Sequence, residues 1–172
     1  MTTATKLPMK LSDRTINLLK NFATINQSIL FKQGNSLRTI SVMKNILAEA
    51  NIDEDFPQEF GVYDLSQFLN SLGLFHDPEL NFTGDSFVNI KEGKQKSKYF
   101  FADPSVIVSP PEKSISLPTV DVEFTLKSSQ LDRLLKAAAV YHLTDLSVVG
   151  DGSEIKMVVA DRKNDTSNDF SI

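Results

Sequence analysis

Cysteine is absent from this 172-residue sequence, and histidine occurs only twice. Disulfide bonds and thiolate metal sites are therefore excluded, and a cytosolic setting fits this composition best. His76 and His142 are isolated from each other in the sequence and belong to no metal-spaced set. The sequence also has no phosphate-binding P-loop and no nucleophile with a neighbouring base. We therefore predict a protein that is not an enzyme, with no catalytic residue, no metal site and no cofactor.

Long apolar runs are also missing. No segment is long enough to cross a bilayer, and residues 1–8 contain no apolar run of signal-peptide length. We interpret residues 1–8 as a flexible extension. The net charge of -4 argues against a protein that coats nucleic acid with its whole surface, but it leaves room for a local basic stripe.

Three segments, residues 11–26, 64–74 and 128–141, have apolar residues at helical spacing. Each of them is followed by segments in which apolar and polar residues alternate, as is typical of β-strands. Strands are predicted at residues 28–32, 36–42, 45–52, 59–63, 79–83, 87–91, 98–102, 120–127, 145–149 and 154–160, with a last one near residue 172. The acidic run at residues 53–55 is interpreted as a solvated loop. These patterns predict an α+β fold of repeated strand-helix-three-strand units.

The predicted helices are amphipathic. Ser12 is the expected N-cap of the first helix, and the inward stripe of the third is expected to contain Leu131, Leu134, Leu135 and Ala138. The opposite faces of these two helices have basic residues one or two turns apart, which are Arg14 and Lys20 in the first helix and Arg133 and Lys136 in the third. Such residues suit contact with phosphate groups, although any amphipathic helix also has charges on its solvent face.

Four prolines occur in residues 103–118, where periodicity is weak. Proline fixes φ and removes a backbone donor, so this segment is predicted to be a stiff extended connector. Residues 106–108 within it are apolar and are able to pair as an extra strand. Residues 9–102 are then one domain of two repeat units. Residues 119–172 are the first half of a second domain, so we expect either a truncated chain or completion by another chain.

A second basic cluster comprises Lys91, Lys94, Lys96 and Lys98. Clusters of this kind bind nucleic acid in some proteins. A solvated hairpin tip is the favoured interpretation, because no aromatic residue is interleaved before Tyr99 and lysines also protect strand edges.

Several segments resemble the DNA sliding clamps of large tailed phages, the processivity factors of DNA polymerase. The most specific match comprises residues 9–12 (MKLS) and 18–26 (LLKNFATIN). Residues 48–52, 63–65 and 68–69 and the connector residues 102–105 add to it, and the similarity spans residues 9–172 but is weaker after the connector. The resemblance implies the α+β sliding-clamp fold, a ring of domains with helices around a central hole and sheets outside.

The resemblance also implies a function. Duplex DNA would pass through the hole, a replicative DNA polymerase would be tethered, and a separate clamp loader would open the ring, which is a homotrimer in the full-length family. The expected DNA-facing residues are Lys10, Arg14, Lys20, Arg133 and Lys136, whereas residues that bind protein partners remain unassigned. The expected location is the cytoplasm of the infected bacterial host cell. The alternative is a non-enzymatic protein-interaction module that uses exposed sheet edges and does not encircle DNA.

Overall fold

The computed structural model of the chain describes residues 8–113, 116, 118–120 and 123–172. The chain divides into two compact units, Met1–Ser114 (unit 1) and Ile115–Ile172 (unit 2). This division falls within residues 103–118, whereas the limits predicted for the two domains remain a prediction.

In its described part, unit 1 has two helices and seven strands. They are α1 (Asp13–Ile25), β1 (Ile29–Phe31), β2 (Gly34–Ile40), β3 (Leu47–Phe56), β4 (Phe60–Val62), α2 (Leu65–Leu72), β5 (Glu79–Asn81), β6 (Phe87–Glu92) and β7 (Gln95–Phe100). Unit 2 has α3 (Ser128–Tyr141), β8 (Asp145–Gly150), β9 (Ile155–Ala160) and β10 (Phe170–Ser171).

All strand pairs in the described part of the chain are antiparallel. In unit 1, β1 pairs with β4, β2 pairs with β3, and β5, β6 and β7 form a three-stranded sheet. In unit 2, β9 lies between β8 and β10. Each helix is therefore followed by three strands, and the predicted α+β fold of repeated units is confirmed.

The core of unit 1 lies between its helices and its sheets. Helices α1 and α2 contact each other. Phe31 stacks on Phe60 with ring centroids 4.5 Å apart, and Phe68 of α2 meets the edge of Phe31 at 6.3 Å. Large aromatic side chains bury much apolar area and pack best in such offset arrangements, so this cluster stabilises the unit.

Unit 2 has a smaller core, centred on Leu134 with Met157 and Val159. The prediction that Leu135 is also inward is wrong, because its side chain is 56% exposed. Successive residues of a helix are about 100° apart, and the sheet of unit 2 covers only one side of α3. Leu134 is therefore the one fully buried residue of α3, and Leu131 and Ala138 on the same side are half-buried.

Two strand predictions need correction. Residues 120 and 123–127, the described part of the predicted strand 120–127, form no strand, because no described strand lies beside them to complete a hydrogen-bonded ladder. The acidic run 53–55 is part of β3 and not a loop, because the pairing of Gly34 with Phe56 extends the β2–β3 ladder beyond it. Asp53 and Asp55 then face solvent, while Glu54 turns inward.

The described start of the connector follows the surface of unit 1. Pro104–Val106 is one turn of 3-10 helix, so residues 106–108 do not form the extra strand. Ile107 is buried next to Gly61, and the side-chain amide of Asn26 donates to the carbonyl oxygen of Val108 at 3.3 Å. The predicted stiff extended segment is therefore partly helical and fixed by side-chain contacts.

Candidate nucleic-acid interface

Helix α1 presents a polar face to solvent. Ser12 caps its first turn by accepting a hydrogen bond from the Thr15 amide, as predicted, and Thr15, Leu19 and Phe22 form the buried side. The exposed side contains Arg14, Asn17, Lys20, Asn21 and Thr24. Because α2 contacts α1 and packs on the same core, the exposed residues of α2 extend this surface with uncharged polar groups.

Arg14 and Lys20 differ in how far their charges are compensated. The Nη1 atom of Arg14 lies 3.8 Å from a carboxylate oxygen of Asp53, and Nη2 donates to the carbonyl oxygen of Asn51 at 3.5 Å. Both contacts are long and exposed, so they contribute little. Lys20 is exposed and has no carboxylate within 4.0 Å among the residues that the structure describes. Both side chains are able to turn toward an external anion.

Lys10 is in a different position. It precedes the helix, its Nζ atom donates a hydrogen bond to the carboxylate of Asp77, and Glu79 lies 4.0 Å away. The hydrogen bond to Asp77 raises the pKa of Lys10. An external phosphate would have to compete with these carboxylates, so Lys10 is the least available of the predicted DNA-facing residues.

The N-terminus of α1 is held by Glu54 of β3. One carboxylate oxygen of Glu54 accepts from the Ser12 amide at 2.5 Å and the other accepts from the Thr15 hydroxyl at 2.6 Å. Burial raises the pKa of Glu54, but the hydrogen bonds from Thr15 and Ser12 outweigh it and the pKa is lowered overall. This carboxylate fixes the first turn of the helix to the sheet and so positions Arg14.

In unit 2, Arg133 and Lys136 lie one turn apart on the exposed side of α3. Neither has a carboxylate within 4.0 Å in the described part of the chain. They border a shallow hollow of about 330 Å³, whose floor includes Val140, Tyr141 and Phe170. The basic pair is therefore available, but apolar groups surround it.

The lysines of residues 91–98 lie on the β6–β7 hairpin, which turns at Gly93. Its register brings Phe87 opposite Phe100, on the same solvent side as Lys91, Lys96 and Lys98. Sequence reasoning missed this aromatic pair, because neither ring lies between the lysines in the sequence. The turn at Gly93 is the signal that would have revealed it, since a two-residue turn there determines every partner in the ladder.

Within the described residues, no group of three or more histidine or acidic side chains is placed to hold a metal ion. None of the described helices is long and apolar enough to span a membrane.

Comparison with known proteins identifies the family. The sequence profile of the DNA polymerase processivity factors matches residues 10–109. The chain belongs to the DNA polymerase processivity factor family. It is also 34% identical to the sliding clamp of Vibrio phage KVP40 over 169 residues, which cover 95% of this chain and 76% of that protein.

Two further relatives are sliding clamps of other phages. The chain is 34% identical to that of Escherichia phage RB69 over 86% of its own length, and 34% identical to that of Enterobacteria phage T4 over 81%. It spans 64% and 61% of the length of these two sliding clamps. The predicted resemblance and fold class are therefore confirmed.

Proposed function

We propose that this protein is a sliding clamp that encircles duplex DNA and tethers a replicative DNA polymerase. The observation that carries the proposal is the exposed basic face of α1, opposite its buried stripe, in a chain of the processivity factor family. Arg14 and Lys20 would face the phosphates from unit 1, and Arg133 and Lys136 would face them from unit 2, with a smaller contribution from Lys10.

This chemistry suits a ring that must move along DNA. Phosphate contacts carry no sequence information, and lysine is a mobile, strongly hydrated point charge. The exposed residues of α2 include Gln67 and Asn70 and no basic residue. Contact between α2 and the sugar-phosphate backbone of DNA would therefore be weak and uniform. Topological enclosure, and not tight binding, would keep the protein on DNA. The protein would catalyse no reaction, and a separate loader would open the ring.

Exposed edges and apolar side chains support assembly and docking. Among the described strands, β7 has a hydrogen-bonded neighbour on one side only, and the same is true of β8 and β10. Unpaired edges of this kind favour association with a second copy, as ring closure requires. The β2–β3 loop exposes Val42, Met43 and Ile46, which suits a short apolar segment of the polymerase or loader. The site of action would be the cytoplasm of the infected bacterial host.

The test reverses the charge of the helix faces. Changing Arg14, Lys20, Arg133 and Lys136 to glutamate should shorten the DNA made per binding event by the cognate polymerase with its loader. A matched control changes four other exposed basic residues, Lys44, Lys113, Arg162 and Lys163, to glutamate. The proposal is wrong if both quadruple variants shorten the products equally, or if the helix variant synthesises like the wild type.

The alternative is an interaction module that does not encircle DNA. The exposure of Leu146, Val148 and Ile155 on the sheet of unit 2 is the observation in its favour, because such apolar patches commonly contact proteins. Sedimentation over a range of concentrations separates the two functions. A clamp should form a closed homo-oligomer, whereas a protein that stays monomeric at high concentration fits the alternative.

A further inference from the structure

The solvent side of the β5–β6–β7 sheet combines three lysines with two phenyl rings. We define the lysine face as Phe87, Asn89, Lys91, Lys96, Lys98 and Phe100, which are cross-strand partners in the β6–β7 ladder. We propose that the lysine face binds single-stranded DNA. This site is separate from the helix faces proposed above to contact duplex DNA, because the alternate residues Val88 and Ile90 point into the core on which the helices pack.

The first argument is uncompensated charge. Lys91 and Lys96 are directly opposite each other, an arrangement of like charges that destabilises a sheet. No carboxylate lies within 4.0 Å of either one, or of Lys98, among the described residues. Glu79 is the partner of Lys91 on the neighbouring strand, but its carboxylate lies 4.0 Å from Lys10. An anion bound at this face would relieve the repulsion.

The other cations near the sheets of unit 1 show the contrast. Lys32 forms an ion pair with Glu59 at 2.6 Å, and Nε of Arg38 lies 3.2 Å from Glu49. The Lys32–Glu59 hydrogen bond also raises the pKa of Lys32. Cations with a structural role in this unit are thus paired with carboxylates. The three unpaired lysines on one sheet face are available for an external partner.

The second argument is the exposed aromatic pair. Phe100 is 66% exposed, and its ring centroid lies 5.8 Å from that of Phe87. The Nζ atom of Lys98 lies 4.3 Å from the centroid of Phe87 and 5.8 Å from that of Phe100, so the more exposed ring remains open to solvent. Lysines that only protect a strand edge do not require an exposed ring beside them.

Together these features select the ligand. Stacking of bases on aromatic rings beside a basic track is the usual way in which proteins bind single-stranded nucleic acid without sequence preference. In a duplex the bases are already stacked and paired, so no base would be free to stack on the ring of Phe100. An acidic peptide would use the lysines but would not need the ring. Single-stranded DNA, which is present wherever a polymerase copies a template, uses both.

The experiment measures fluorescence anisotropy of a labelled oligothymidylate of about 16 nucleotides, a length that one such site covers. Phe100→Ala should weaken binding by about tenfold through lost stacking, and Phe100→Tyr should preserve it. The matched control is Leu74→Ala, since Leu74 is another exposed apolar residue of unit 1. The double variant Lys96→Gln/Lys98→Gln should reduce the slope of log affinity against log salt by about 1.4.

Three results would overturn the proposal. In the first, Phe100→Ala binds the oligonucleotide as well as Leu74→Ala does. In the second, the lysine variant weakens binding to a duplex of equal length as much as binding to the single strand. In the third, the variants change the sedimentation of the protein and leave oligonucleotide binding intact, which would assign the face to a second copy of the chain. The readout requires neither polymerase nor loader, so failure here leaves the proposed clamp function untouched.

Discussion

Replacing Glu54 with glutamine tests whether this carboxylate fixes helix α1 to the sheet. The change keeps the shape of the side chain but removes the charge that accepts from Ser12 and from the buried Thr15 hydroxyl. Hydrogen bonds to charged groups contribute about 1.5–3 kcal/mol each. The Ser12 contact competes with water. The side-chain carbonyl oxygen of glutamine is still able to accept from the Thr15 hydroxyl, to which the Ser12 hydroxyl donates at 3.2 Å. We therefore expect a total loss of about 1–2 kcal/mol.

Hydrogen exchange of the α1 amides is the suitable assay, since it reports the free energy of local opening. Protection should fall about 5–30-fold in the Glu54→Gln variant. The matched control is Asp55→Asn, because Asp55 is the next residue of β3 and faces solvent. In that control, the free energy of local opening should change by no more than about 0.5 kcal/mol.

The pH dependence provides a second check. The pKa of Glu54 is lower in the folded protein than in the unfolded chain, so its contribution is fully present above the unfolded value of about 4.3. That contribution is lost as the pH falls through the lower folded value. The difference between wild type and variant should therefore shrink under acid. Equal protection in Glu54→Gln and Asp55→Asn, or a difference that does not vary with pH, would refute the reasoning.

Three further predictions concern other parts of the chain. Leu134→Ala should destabilise unit 2 by about 2–5 kcal/mol through a cavity, whereas the exposed Leu135→Ala should cost about 0.5 kcal/mol or less; equal losses in chemical denaturation would contradict the assigned helix face. Gly61→Ala should cost about 1–3 kcal/mol and speed proteolysis of the connector, because a Cβ atom would lie 2.6 Å from Ile107 Cδ1; unchanged cleavage would count against this. Asp151 should titrate with a pKa of about 2 by NMR, since backbone amides of its own turn donate to it, and an ordinary value would show that the turn opens.

Local signals in the sequence predicted the helices well. Ser12 was predicted as the N-cap of α1, and the apolar spacing of residues 64–74 predicted α2, whose buried side contains Leu65 and Phe68. Such features depend on residues within one or two turns, so that a single sequence is enough to reveal them. The third helix was harder. Whether Leu134 or Leu135 is buried depends on which side the sheet covers, and helical spacing alone does not contain that information.

Contacts between distant residues limited the prediction of the candidate sites. The acidic run around Glu54 looked like a solvated loop, because the sequence does not show that one carboxylate of three turns inward to meet Thr15, 39 residues earlier. Lys10 was predicted to face DNA, although its Nζ atom is paired with Asp77, which lies 67 residues later in the chain. A charge is available to a ligand only when no partner in the fold has already compensated it.

The distribution of free cations explains how a chain with a net charge of -4 is able to serve DNA. Total charge governs long-range repulsion, whereas binding depends on the cations that remain unpaired. Among the described residues of unit 1, these include Lys20 on the helix face and the three lysines of the lysine face, which lie on opposite sides of one core. The helix face has no exposed ring and suits a duplex that slides past. The lysine face has the exposed ring of Phe100 and suits unstacked bases. If both surfaces responded alike to duplex and single strand, charge alone would explain binding and the rings would have no part in it.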